Sequence, residues 1–262
     1  MKIFPNIAIL EALDYAEKAR LSPTALRQAL GLKNVVHIFD DKDTDTQGYL
    51  FRDPANRTLI IGWRGSQQFK DWLNDFNAFH MDYPYGNKDT NIRVHRGIMG
   101  CWLSVRDKVL ELVGNYLVDS KKPIDEVEVV GHSLGGAITT LCTVDLQYNF
   151  TNVFNENKYL LGFASGNPAV FNKEGQVSFD KRVPNFFRTY MRTDWVPNCP
   201  PKWFGKRLQG GYYQCGIDNP IGPRDPFCGL KTWFKLLRGK RNDLAGNLTN
   251  HNIDLYRKWL MK

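Results

Sequence analysis

The sequence predicts an α/β fold in which a mostly parallel central sheet is covered by helices on both faces. Three observations carry that prediction. Short runs of β-branched and aliphatic residues alternate with longer stretches whose apolar residues recur at helical spacing, as strand–helix–strand units require. No apolar run approaches the roughly 18 residues of a membrane span. The composition, 42% apolar and 24% charged over 262 residues, is that of a globular chain able to bury one large core. With no internal repeat, low-complexity tract or linker, residues 1–262 are expected to form one domain.

The first thirty residues read as two helices. Ser22 is the expected N-cap of the second, Pro23 its first residue and Gly31 its stop. A hairpin-like pair follows at 48–51 and 58–63, around the turn-prone Asp53-Pro54-Ala55-Asn56. From 97 to 118, Ile98, Trp102, Val105, Val109, Leu112 and Tyr116 recur in alternating steps of four and three, which makes one helical stripe and predicts a core-packing helix. Val127-Glu128-Val129-Val130 reads as a buried strand, 137 to about 148 as a helix, and 159–164 and 185–191 as two further strands. The Pro-, Gly- and aromatic-rich stretch from about 197 to 241 reads as irregular.

A formal net charge of +8 raises nucleic acid or an anionic surface as partners. Most basic residues are dispersed and no nucleic-acid-binding module accompanies them, so nucleic acid is not expected as a partner. The exception is 231–241, where Lys231, Lys235, Arg238, Lys240 and Arg241 interleave with Trp233, Phe234, Leu236 and Leu237. That pattern suits peripheral contact with a membrane or lipid-droplet surface, although a solvated helix with one face on the core is the plainer reading. The five cysteines (Cys101, Cys142, Cys199, Cys215, Cys228) form no CxxC pair, so neither a zinc site nor a complete disulfide framework is indicated. Cys215 and Cys228 are spaced to pair across a short loop if the protein is exported. The N-terminal apolar stretch is too short for a secretory signal, which makes cytosolic residence the default and secretion the alternative if a leader is missing.

Gly131-His132-Ser133-Leu134-Gly135 stands between a strand pattern and a helix pattern. It resembles the nucleophile elbow of the α/β-hydrolase fold, in which a sharp turn lifts the serine hydroxyl above the sheet and the glycines give the backbone room. A serine hydroxyl is too weakly acidic to attack unaided; it needs a base within hydrogen-bond reach and a carboxylate to orient that base. Chain order in this fold is nucleophile, acid, base. His251 is the one histidine after Ser133, leaving His37, His80, His95 and His132 structural or supporting roles. Among the acids between them, Asp194 stands out because it follows the 185–191 strand by a few residues, at the C-terminal edge of the sheet where the elbow also lies. Asp180 and Asp218 are the next candidates. For the oxyanion, Leu134 offers its backbone N–H, and Ser66, in Arg64-Gly65-Ser66 at the end of an early strand, offers an N–H and a hydroxyl.

Four blocks in order make the resemblance specific: Gly62-Trp63-Arg64-Gly65-Ser66, Val94-His95-Arg96-Gly97, Gly131-His132-Ser133-Leu134-Gly135-Gly136-Ala137, and Asp194-Trp195-Val196-Pro197-Asn198-Cys199-Pro200-Pro201. With Gly166-Asn167-Pro168-Ala169-Val170, they are similar to the class 3 lipase family, which includes the secreted fungal triacylglycerol lipases. The resemblance spans roughly 48–256. It implies Ser133 as nucleophile, Asp194 as acid, His251 as base, and Ser66 with Leu134 as the oxyanion hole. It also implies that Asp75 holds the oxyanion-hole hydroxyl, and that 67–74, with Phe69 and Trp72, forms a lid. Read from its residues alone, that segment is an amphipathic helix with Phe69, Trp72 and Leu73 buried. Trp63 replaces the family's usual Phe, and Tyr256 follows His251 by more than the family's His-x-x-Tyr spacing. The signal and disulfides of the secreted members are not evident. The resemblance implies an ester hydrolase acting on a lipid ester such as an acylglycerol through an acyl-enzyme, with no metal or organic cofactor. A soluble carboxylesterase or feruloyl-type esterase, and a non-catalytic lipase-like protein that binds lipid or a partner, are the alternatives. Oligomeric state is left open.

Overall fold

A computed structural model describes residues 6–31, 34–66, 79–85, 90–199, 211–223 and 248–262. The β-branched and aliphatic runs become a seven-stranded sheet in the order β1 (Val36–Asp41), β2 (Thr46–Asp53), β3 (Thr58–Trp63), β6 (Glu126–His132), β7 (Tyr159–Ser165), β8 (Phe186–Met191) and β9 (Ile217–Ile221). The three leading strands are antiparallel, and every pairing from β3 to β9 is parallel. A separate two-stranded ribbon joins β4 (His80–Asp82) to β5 (Arg93–His95).

The expected hairpin is β2 with β3. Its turn is held by Asp53, whose Oδ1 accepts from Ala55 N at 2.9 Å and whose Oδ2 accepts from Asn56 Nδ2 at 2.9 Å. Ser22 caps the second helix by accepting from Ala25 N at 3.3 Å, Pro23 is its first residue, and Gly31 follows it at φ 91.

Parallel strands need cover on both faces, and the side-chain alternation of β6 shows how it is provided. Val127 and Val129 join the core built with α3 (Arg96–Val118), α4 (Leu134–Asn149) and α6 (Lys173–Arg182). Val130, on the opposite face, packs with α1 (Asn6–Lys18) and α7 (Ile253–Leu260). The predicted stripe of α3 is buried from Ile98 to Leu112, with Tyr116 packed partly against it. Trp102 from this stripe meets Trp63 edge-on at 6.0 Å, and Trp63 stacks on Phe39 at 5.5 Å. Large fully buried side chains of this kind contribute about 1.5–3 kcal/mol each. Helix α2 (Pro23–Ala29) adds Leu26 to a smaller cluster with Tyr49, Phe51 and Ile60. A short α5 (Thr151–Glu156) links α4 to β7.

Strand β9 corrects the irregular reading of 197–241. Its Asp218-Asn219-Pro220 looks like a turn in sequence, but β9 is the edge strand, where a proline lacking an N–H costs no interior ladder bond. The basic segment 231–241 lies outside the described residues. Cys101, Cys142, Cys199 and Cys215 are free and buried; Cys228, with which the sequence would let Cys215 pair, lies outside the described residues. Helices α1 and α7 clasp the two ends of the chain through Arg257 on Glu17 at 2.7 Å and Asn6 Nδ2 on Leu260 O at 3.1 Å. Among the described residues, no helix is long and apolar enough to cross a membrane.

Candidate active site

Strand β6 ends at His132 and α4 begins at Leu134, so the chain must reverse its course at Ser133 alone. Ser133 does so at φ 60, ψ −128, a conformation that costs a non-glycine residue about 1–3 kcal/mol. The turn is held by Ser133 N donating to Ser165 O at 2.9 Å, and by Gly136 N and Ala137 N donating to Ser133 O at 3.0 and 3.2 Å. Both glycines of the elbow are close-approach positions. A Cβ on Gly131 would lie 2.3 Å from the Gly135 carbonyl, and one on Gly135 would lie 2.3 Å from Trp63 O. The Ser133 hydroxyl is buried and has no hydrogen-bond partner among the described residues.

Asp194 sits three residues beyond β8, where its N–H closes a turn on Met191 O at 3.0 Å. It is fully buried. Its Oδ2 lies 2.6 Å from His251 Nδ1 and also accepts from Tyr256 Oη at 2.6 Å, while Oδ1 accepts from Val196 N at 3.0 Å. A carboxylate oxygen only accepts, so Nδ1 carries the proton of a neutral His251 and leaves Nε2 as the basic nitrogen. Burial and the Asp194 charge push the Tyr256 phenol well above its ordinary range and keep it a donor. The other candidate acids are engaged elsewhere: Asp180 accepts from Gly216 N at 2.7 Å, and Asp218 pairs with Arg188 at 2.5 Å.

The structure brings Ser133, Asp194 and His251 to one end of the sheet. His132, the residue before the serine, stacks on the His251 ring with centroids 4.7 Å apart. No hydrogen bond joins the Ser133 hydroxyl to His251, which is common before a substrate draws a site together. The remaining histidines serve the scaffold. His95 caps α3 by accepting from Ile98 N at 3.3 Å, His80 stacks on Tyr212 at 4.1 Å, and His37 meets Tyr116 Oη at 3.2 Å.

Leu134 is the first residue of α4, so its N–H has no intrahelical acceptor and stands beside the serine. The Arg64-Gly65-Ser66 loop lies directly against the elbow, since a Cβ on Gly65 would come 2.9 Å from His132 O and 3.2 Å from Ser133 Cβ. Arg64 anchors that loop through its N–H to Gln47 O at 2.9 Å and its guanidinium to Asp45 at 2.5 Å. Ser66 is half-buried at its end. Phe69, Trp72 and Asp75, together with the whole expected lid, lie outside the described residues. Among those described, no group of three or more His, Cys, Asp or Glu side chains is placed to hold a metal ion.

Two contributors were hard to read from sequence. Tyr256 stands five residues after His251, but a 3-10 turn at Leu248–His251 and the N-cap at Asn252 start α7 so that Tyr256 faces inward onto Asp194. Gly166, at φ 58, leaves the space that three rings occupy; its Cβ would meet Tyr256 Oη at 2.9 Å, His251 Cε1 at 3.0 Å and His132 Cε1 at 3.1 Å. Its block was visible in sequence as Gly166-Asn167-Pro168, without the reason.

Known proteins share sequence and fold with this chain. A lipase of Rhizomucor miehei is 31% identical over 181 residues, which cover 67% of this chain and 47% of that protein. A secreted alkaline triacylglycerol lipase of Penicillium cyclopium is 29% identical over 161 residues, covering 60% of this chain and 56% of that protein. The chain thus spans about half the length of these curated relatives, and the secreted relative gives the cytosolic default no support. The solved Rhizomucor miehei triacylglyceride lipase shares the fold, with a TM-score of 0.69 at 22% identity over 82% of this chain and 79% of that one. Residues 60–204, more than half of the sequence, match the family described as Lipase (class 3), and the chain belongs to that family.

Proposed function

We propose that the protein is a serine hydrolase that cleaves carboxylic esters of lipids through an acyl-enzyme. The observation that carries this reading is the strained, unpartnered Ser133 hydroxyl at the same end of the sheet as the His251–Asp194 pair. In the reaction, Ser133 Oγ attacks the ester carbonyl carbon while His251 Nε2 takes the hydroxyl proton. The Asp194 carboxylate orients the ring and stabilises the imidazolium formed. The Leu134 N–H and Ser66 face the developing oxyanion, each such donor being worth about a hundredfold in rate. The tetrahedral species collapses, the alcohol leaves with the proton from His251 Nε2, and water then cleaves the acyl-Ser133 ester by the same route.

Lipid esters are favoured by family membership and by the apolar Phe69 and Trp72 of the expected lid; the interleaved basic and aromatic residues of 231–241 suit a lipid surface. The continuous seven-stranded sheet and the α1–α7 clasp support one domain over 1–262. The secreted relative favours export over cytosolic residence. The test is hydrolysis of p-nitrophenyl esters of increasing chain length by wild type and Ser133→Ala, below and above the concentration at which the long esters form micelles. Activity that vanishes in the variant and rises with the interface is expected. Equal inactivity of both proteins would replace this reading with non-catalytic lipid binding, and activity indifferent to the interface would point to a soluble esterase.

A further inference from the structure

His132 is fixed by its neighbours on every side. It ends β6 opposite Ser165 of β7 and is 2% exposed. Its Nε2 lies 2.9 Å from the backbone carbonyl oxygen of His251. A carbonyl only accepts, so Nε2 carries the proton and Nδ1 is bare. Ser165 Oγ stands 3.0 Å from that bare Nδ1 and donates to it in preference to Gly131 O at 3.4 Å. The ring lies nearly parallel to the His251 ring, with 28° between the planes, and edge-on to Tyr256 at 5.3 Å.

Asp194 restrains His251 at one ring atom, in the plane of the ring. An in-plane bond of that kind fixes the position of Nδ1 without setting the tilt of the ring, and it does not reach the backbone of the Leu248–His251 turn. His132 supplies both restraints, because it holds the turn by its carbonyl and backs the ring with a flat face. We propose that His132 is a positioning residue for the reaction, a neutral imidazole that anchors the backbone of His251 and sets its ring plane so that Nε2 is presented to Ser133.

The chemistry requires that neutrality. During acylation His251 becomes an imidazolium, and a second cation stacked on it would oppose proton transfer. The titratable and charged groups that bear on His132 are His251, Tyr256 on α7 and Arg20 just after α1. Burial, then the His251 and Arg20 charges, hold the His132 pKa well below its ordinary value, so no second cation forms. A methionine in this place would fill the same volume; the imidazole adds a donor aimed at the carbonyl and a flat face for the ring.

This inference rests on the reading of Ser133, Asp194 and His251 as a triad. Its test compares His132→Gln with His132→Asn, since the glutamine amide reaches the position of Nε2 and the asparagine amide only that of Nδ1. Both bury a neutral amide, and the shorter asparagine also costs stability through the space it leaves. The constants kcat and KM are therefore compared under conditions where the unfolding curves show both variants fully folded, and there a merely structural role would leave kcat alike. H132Q is expected to keep kcat within about threefold of wild type. H132N is expected to lose about 10–100-fold in kcat with KM nearly unchanged, the scale of a displaced catalytic group. Equal kcat in two folded variants would overturn the proposal. Where neither variant folds, the nitrogen resonances of histidine-labelled wild type decide it. A proton on Nε2 of His132 throughout the working pH range supports the proposal, and a proton on Nδ1, or a doubly protonated ring, overturns it. Wild-type turnover by Ser133→Ala in the same assay would instead sink the triad reading and leave the His132 measurement standing.

Discussion

Tyr256 and His251 meet on a single oxygen, Oδ2 of Asp194, each at 2.6 Å, while Val196 N–H occupies Oδ1. The buried carboxylate therefore accepts three hydrogen bonds with no metal or guanidinium beside it among those contacts. Three such bonds offset the cost of burying the carboxylate and aim Oδ2 along the line to His251 Nδ1.

Replacing Asp194 with Asn presents an amide N–H where Oδ2 now accepts, and His251 can no longer keep its proton on Nδ1. We expect Asp194→Asn to lower kcat on a short p-nitrophenyl ester by about 10⁴-fold, as loss of the correct tautomer does in a serine triad, with KM within a few-fold of wild type. A loss below tenfold would show that Asp194 does not orient the base.

Tyr256→Phe removes one charge-assisted bond from the same carboxylate, an interaction worth about 1.5–3 kcal/mol. The expected outcome is a lower unfolding midpoint in urea and a fall in kcat of about tenfold. Because the phenol is held far above its ordinary pKa, the ratio of variant to wild-type rate should be flat across neutral and mildly alkaline pH. A ratio that changes steeply there would mean the tyrosine itself titrates.

Ser133 carries strain that only glycine relieves. Ser133→Gly should abolish turnover yet raise the free energy of unfolding by about 1 kcal/mol or more, because φ 60 with ψ −128 is open to glycine and costly for serine. Chemical denaturation of the two proteins side by side measures the difference. A less stable glycine variant would mean that the elbow is not strained.

Glu128 predicts how stability depends on pH. It lies on β6 with Glu126, and burial, followed by the Glu126 charge, raises its pKa from 4.5 to about 8. A carboxyl that holds its proton to higher pH when folded contributes full stability below 4.5 and loses it progressively as pH rises to about 8. The slope is at most about 1.4 kcal/mol per pH unit. Glu128→Gln removes the penalty, so its gain in melting temperature over wild type should be near zero at pH 4 and grow up to pH 8. A difference independent of pH would reject the raised pKa.

Much of this protein is legible in its sequence, and for local reasons. The stripe from Ile98 to Leu112, the Ser22-Pro23 helix start, the Asp53 turn and the Gly131-x-Ser133-x-Gly135 elbow are patterns whose meaning lies within a few neighbouring residues. Chain order pointed to His251 as the one histidine after the serine, and to Asp194 because it follows a strand at the sheet's C-terminal edge; the structure joins these two side chains at 2.6 Å. Strand β9 was not, because Asp218-Asn219-Pro220 carries turn residues and only its place at the edge of a finished sheet makes it a strand.

The amino-acid sequence by itself determined the fold class, the elbow and which acid and histidine to set beside Ser133, since these follow from hydrophobic period, turn chemistry and chain order. Tertiary structure alone decided which atoms meet. Tyr256 reaches Asp194 across 62 positions, and His132 reaches the His251 carbonyl across 119. Those contacts depend on how β6, β7 and α7 are packed together, and packing of elements distant in sequence leaves no periodicity or spacing for a reader to find.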